Sequence, residues 1–201
     1  ERLKEDYKRT NVLPLGNCAL AGTTYNIDRM YVKELFHENK QPIYSKKGIN
    51  LGDKNIQIYF SPNKYVINTV ILPEIEKAQE YIYLSMFLIT NNKIVQSLIN
   101  AHNRGVEIKL IVDAHHALQP YSKHQQLRDA GIKVKVENWA GKMHAKTVLI
   151  DDHTIISGSA NWTYSAFKYN DENLLVFKNV PKEVLFLKKE FLKSWNSIPN
   201  Q

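Results

Sequence analysis

The sequence predicts an α/β fold, a mixed, largely parallel β-sheet flanked by helices on both faces. Three observations lead there. From residue 56 onward, short β-branched runs such as "IQIYF" and "VEIKLIVD" alternate with amphipathic stretches of helical period. Gly105 and Gly131 fall where helices should stop, and each is followed by a new apolar run. The last third changes rhythm, because "KTVLID" and "TIISGS" are separated only by Asp152 and His153, a spacing that allows a hairpin and no crossover helix.

The elements follow in order. Residues 1–52 have mixed polarity and weak periodicity, punctuated by Pro14, Gly16, Gly22, Pro42 and Gly48, and read as an N-terminal extension with one helix over "IDRMYVKELFHE". The folded domain spans 53–201. "IQIYF" is a strand ending at Ser61-Pro62, and "YVINTVILPEIEKAQ" carries an apolar face at helical spacing. Strand "YIYLSMF", helix "NNKIVQSLINAHNR", strand "VEIKLIVD", helix "YSKHQQLRDA" and strand "IKVKVE" come next. The hairpin, a strand "ENLLVF" and an amphipathic helix "PKEVLFLKKEFLKSWN", with Pro181 in its first turn, complete the domain.

Composition narrows the function classes. A chain of 201 residues with 43% apolar content buries one substantial core. No window approaches the roughly 18 consecutive apolar residues of a membrane span. The single cysteine, Cys18, excludes an intrachain disulfide and a thiolate-rich zinc site. A net charge of +7 attracts polyanions, nucleic acid and anionic lipid headgroups alike. The sequence begins at Glu1, not methionine, which leaves room for a removed N-terminal signal or anchor, so periplasmic, secreted and membrane-anchored locations all stay open.

The chemistry concentrates in "HAKTVLIDDHTIISGSANWT", residues 144–163. Side chains two apart on a strand share a face, so His144 and Lys146 point the same way, a nucleophile or base beside a fixed positive charge. Lysine binds phosphate as a point charge, and Ser159 and Asn161 just beyond the partner strand add a hydroxyl and an amide able to donate to anionic oxygens. Asp151, an odd number of residues from His144, should face away and brace the hairpin or the lysine. His115 and His116 follow Asp113 at a strand end, where ligands bind in α/β sheets. They are expected either to line a cleft, His115 foremost, or to be exposed loop residues. His37, His102, His124 and His153 carry no such signal. Trp139 and Trp162 flank the motif and either stack on substrate bases or pack into the core. Lys133, Lys135, Lys142 and Lys168 either follow a phosphate backbone or form a solvated face.

The pattern His144-x-Lys146-x4-Asp151, followed by Gly158-Ser159-x-Asn161, resembles the HKD signature of the phospholipase D superfamily. Glu172, in "NDEN", resembles the acidic residue that orients the nucleophilic histidine in that superfamily. Upstream, "IQIYFSPN", "EIEKAQEYIYLSMF" and "AHNRGVEIKLIVD" resemble the small single-motif branch, which includes Nuc-type endonucleases and Zucchini proteins, over about residues 54–197. The resemblance implies a phospholipase D-like catalytic domain with His144, Lys146, Asp151 and Glu172 as catalytic residues and Lys146, Ser159 and Asn161 binding phosphate. It implies a phosphohistidine route without metal or other cofactor. One HKD copy supplies one histidine where two are needed, so a homodimer is expected. A nuclease on single-stranded DNA or RNA is the first expectation. A phospholipase acting on phospholipid or cardiolipin headgroups is the alternative, and a non-catalytic nucleic-acid-binding module is a third.

Overall fold

Alternating apolar side chains give the central strands two buried faces, and the helices sort to one or the other. The computed structural model describes residues 49–50, 55–137, 139 and 141–200. The helix expected over residues 27–38 and nearly all of the proposed extension lie outside them.

Eight strands form one sheet among the described residues: β1 (Ile49–Asn50), β2 (Ile56–Ser61), β3 (Tyr81–Met86), β4 (Glu107–Asp113), β5 (Lys133–Glu137), β6 (Lys146–Ile150), β7 (Thr154–Gly158) and β8 (Glu172–Lys178). Their order across the sheet is β1-β2-β8-β7-β6-β3-β4-β5. The α/β class and the mixed sheet hold, but the expected parallel majority does not. Only β3–β4 and β4–β5 run parallel, and the other pairs are antiparallel. The reason lies in the connections: helical crossovers link β3, β4 and β5, whereas the tight β6–β7 turn forces reversal and β8 and β2 continue it. Ile49–Asn50, assigned by sequence to the extension, is a short antiparallel edge strand on β2.

Helices α1 (Leu72–Lys77), α2 (Asn92–Asn103), α3 (Ala114–Ala117), α4 (His124–Asp129), α5 (Tyr164–Lys168) and α6 (Pro181–Ser197) complete the structure. Ile82, Leu84 and Met86 of β3 pack with Ile75 of α1, Ile94 and Leu98 of α2 and Leu127 of α4. On the opposite face, Tyr81 and Tyr83 meet Val184, Phe191 and Trp195 of α6, with the Tyr83 and Phe191 rings stacked at 5.1 Å. Ahead of α1, Ile67–Ile71 forms a π-helical turn. Pro73 explains it, since its ring cannot coexist with a regular α turn before it and it offers no N–H. Two short helices escaped the sequence reading: α3, capped by Asp113, and α5, capped by Thr163, whose Oγ1 accepts the Ala166 N–H at 3.1 Å. Each is under two turns long, too short for periodicity to register. Among the described residues no helix is long and apolar enough to cross a membrane.

Candidate active site

The sheet topology brings one set of strand ends together. β2, β3, β4, β5 and β7 finish at the edge where β6 and β8 begin, as the pairs Ser61↔Glu172, Met86↔Lys146, Asp113↔Glu137 and Gly158↔Leu174 show. This edge carries His144, Lys146, Ser159, Asn161 and Glu172.

His144 lies two residues before β6, not within it, and its side chain is exposed. Lys146, the first residue of β6, is only 7% exposed. Its ammonium donates to the His144 carbonyl oxygen at 2.7 Å and lies 3.2 Å from His144 Nδ1. It also sits over the Phe87 ring, 4.8 Å from the centroid. Burial pushes the Lys146 pKa below its ordinary value, and the negative charge of Glu172 acts in the opposite sense. A buried ammonium held by a carbonyl, an imidazole and an aromatic face, with no carboxylate bonded to it among the described residues, is disposed to take up an anion.

The loop carrying His144 is held by two backbone links. The Asp113 carboxylate, buried at the end of β4, accepts the Met143 N–H at 3.1 Å and the His116 N–H at 3.2 Å. The Phe87 N–H donates to the Ala145 carbonyl at 3.0 Å. Phe87 further packs against His144 at 4.4 Å and against His116 at 4.1 Å between ring centroids. Burial, along with the electrostatic influence of His115, Lys142 and His144, lowers the His116 pKa, while Asp113 opposes the shift. Asp113 and Phe87 are thus positioning residues that sequence reading missed, and His116, one of the two histidines read as cleft candidates, packs beside them. The place of Asp113 at the end of a parallel strand was the one available signal. Nothing local marked Phe87.

Ser159 and Glu172 meet across β7 and β8. Ser159 Oγ donates to Glu172 Oε2 at 2.5 Å and accepts the Asn173 N–H at 3.0 Å. The second Glu172 oxygen accepts from Asn170 Nδ2 at 3.1 Å. Among the described residues Glu172 makes no hydrogen bond to His144, so the orienting contact implied by the resemblance is not made within one chain. Gly158 allows this close approach: its φ is +147°, and a Cβ there would collide with the Asn173 carbonyl oxygen. That same carbonyl accepts the Ser159 N–H at 3.2 Å. Asn161 keeps a buried Oδ1 without a hydrogen-bond partner, the kind of orphaned polar atom that functional sites retain.

Three expected residues sit elsewhere. Asp151 lies past the far end of β6, at the turn into β7. Its carboxylate accepts the backbone N–H groups of Gln79, Glu80 and Tyr81 at 3.1, 2.9 and 3.0 Å. Its inclusion among the catalytic residues is therefore corrected: it braces the hairpin against the start of β3. Trp162 is 1% exposed within the core, which removes it from the expected cleft. Its backbone is also bonded to Leu88, Thr90 and Asn91. His115 is exposed, with its ring 5.7 Å from that of His116, whereas His116 packs against Phe87 and so lies closer to the cluster. Trp139 is 51% exposed on the connection after β5. Lys135 is buried and donates to the Trp195 and Ile198 carbonyls at the end of α6, and Lys133 pairs with Glu107. Lys135 is thereby tied to α6, and Lys133, although exposed, begins β5 at the end of the sheet opposite the site. Among the described residues no group of three His, Cys, Asp or Glu side chains is placed to hold a metal ion.

Comparisons with known proteins agree with this geometry. Residues 71–195 match the family model described as cardiolipin synthase, PLD-like domain. A phospholipase D of Rickettsia typhi is 31% identical over 151 residues, 73% of this chain and 69% of the relative. A mitochondrial cardiolipin hydrolase of Chlamydomonas reinhardtii is 34% identical over 113 residues, 56% of this chain and 50% of the relative. The crystal structure of Nuc, a phospholipase D family member from Salmonella typhimurium, superposes with a TM-score of 0.67 at 25% identity, covering 73% of this chain and 97% of that one. With the family model matched over most of the described domain and His144, Lys146, Ser159, Asn161 and Glu172 at one sheet edge, the chain belongs to the phospholipase D-like family of phosphodiester-cleaving enzymes.

Proposed function

We propose that the protein is a metal-independent endonuclease, hydrolysing DNA or RNA through a phosphohistidine intermediate in a homodimer that pairs two copies of His144. The observation that carries this reading is the exposed His144 imidazole with a buried, carboxylate-free Lys146 ammonium against its Nδ1.

An ammonium has only protons to offer, so His144 Nδ1 accepts and a neutral ring then keeps its proton on Nε2. Attack through Nε2 needs the other tautomer. A phosphate oxygen that draws Lys146 away from Nδ1 frees that nitrogen to carry the proton, so substrate binding prepares the nucleophile. In the first step Nε2 forms a bond to phosphorus, the bond to the leaving oxygen breaks, and the second imidazole protonates that oxygen. In the second step that imidazole takes a proton from water, which attacks phosphorus and releases His144. Lys146, Ser159 and Asn161 stabilise the oxygens as charge builds on them.

A second reading, hydrolysis of phospholipid headgroups, is favoured by Leu118, which is 84% exposed on the connection after β4 at this same edge. Incubation in EDTA with labelled single-stranded DNA, RNA and phospholipid vesicles, beside a His144→Ala control, separates the two. Nucleic-acid cleavage that survives EDTA and disappears in His144→Ala is expected. Lipid turnover alone would favour the second reading, and a requirement for added divalent metal would overturn the mechanism.

A further inference from the structure

Nine large apolar side chains are exposed among the described residues, and all but Leu185 and Phe186 lie at the end of β2 or on the connections after β2, β4, β5 and β7. That is the edge occupied by His144 and Lys146. Most are aromatic. Two of them, Tyr164 and Tyr169, form an organised unit with Lys168.

Helix α5 creates this unit. Thr163 caps it, Ala166 and Phe167 turn inward to the core, and Tyr164 and Lys168, four residues apart, share the outer side. The Tyr164 and Tyr169 rings meet edge to face at 6.1 Å and remain 55% and 62% exposed. The Lys168 ammonium lies 5.0 Å from one ring centroid and 4.8 Å from the other. The two tyrosines beside it push its pKa above the ordinary lysine value. The segment is tied down at its middle and its end: the single Ser61 hydroxyl proton is shared between the Ala166 carbonyl at 2.7 Å and the Asn170 carbonyl at 2.9 Å. Asn170, next to Tyr169, donates to Glu172 at 3.1 Å, which links the unit directly to the catalytic edge.

Resting on the nuclease reading, we infer that Tyr164 and Tyr169 form a stacking site for unpaired bases of a single strand, with Lys168 contacting the adjacent phosphate. Every base offers a π face and every linkage a charge, so flat rings interleaved with a lysine bind a strand regardless of sequence. The aromatic make-up of the edge favours a strand over a bilayer, since insertion among acyl chains would call for more aliphatic side chains than Leu118 alone.

The test uses the full chain in the His144→Ala background, so that bound strands are not consumed. Fluorescence anisotropy would compare labelled oligothymidylate of about 12 nucleotides with an abasic strand of equal length and charge. Preference for the base-bearing strand by roughly tenfold is expected. Added Tyr164→Ala and Tyr169→Ala should abolish that preference, and Tyr164→Phe and Tyr169→Phe, which keep the rings, should restore it. Lys168→Ala should keep the preference and reduce the salt slope by about one. A preference that is absent, or that survives removal of both rings, overturns the stacking site. Loss of binding to phosphatidylglycerol vesicles in the alanine variants, with strand affinity unchanged, assigns the edge to a bilayer and overturns it as well. Cleavage of the same oligonucleotide by the unsubstituted protein is measured in parallel. If that cleavage occurs while the stacking site fails, the nuclease reading stands. If neither cleavage nor binding occurs, both fall.

Discussion

Lys146 is the residue on which the site turns, because burial and function make opposite demands on its charge. Phosphate binding requires the protonated form, and desolvation disfavours it. Activity should therefore fall on the alkaline side at a pH below the ordinary lysine value of 10.5. Glu172 props up the protonated form, so Glu172→Gln should move that limb further toward neutrality, read from kcat/KM against pH. A limb that stays in place or moves upward would show that Glu172 does not act on Lys146. Residue identity was legible here: spacing singled out His144, Lys146, Ser159 and Asn161, and the family resemblance added Glu172. Their mutual contacts were not, because the pairing of Ser159 with Glu172 instead of Glu172 with His144 depends on how β7 and β8 lie side by side.

At the scale of elements, the β6–β7 hairpin presents the motif and Asp151 anchors it. Its carboxylate satisfies three backbone N–H groups ahead of β3, in a residue whose φ of +48° suits Asp or Asn. Asp151→Asn tolerates that backbone but sets an NH2 group against one donor. It should lower stability by about 1 to 3 kcal/mol, seen as a lower Tm. Lys146 lies at the other end of β6, so kcat/KM of the folded variant should not change. A loss of turnover without a loss of stability would return Asp151 to the catalytic set. The long elements were readable because each carries an apolar period and a stop signal, as α2 does between Asn91 and Gly105. The π turn before α1 and the five-residue α5 were not, since one reflects a proline acting on the preceding turn and the other a single cap.

The whole molecule raises the question of the second imidazole. If each centre needs His144 from two chains, subunits carrying His144→Ala should poison those that do not. Mixing and re-equilibrating unsubstituted protein with excess His144→Ala should depress specific activity well below simple dilution, with sedimentation reporting the dimer. Activity proportional to the unsubstituted fraction would instead mean that each chain works alone. Electrostatics act at this scale too: the net charge of +7 raises the local concentration of any polyanion and makes its binding salt-dependent.

The sequence by itself determined the α/β class, the placement of the long strands and helices, and the residues of the HKD cluster, because period, turn chemistry and motif spacing are local properties of a chain. Only the tertiary structure decided the antiparallel majority of the sheet, which backbone groups Asp151 braces, and the burial of Trp162. It also decided the support of His144 by Asp113 and Phe87, and the gathering of exposed aromatics at one edge. These depend on which segments become neighbours in space, and pairing between residues tens of positions apart leaves no periodic trace in either segment.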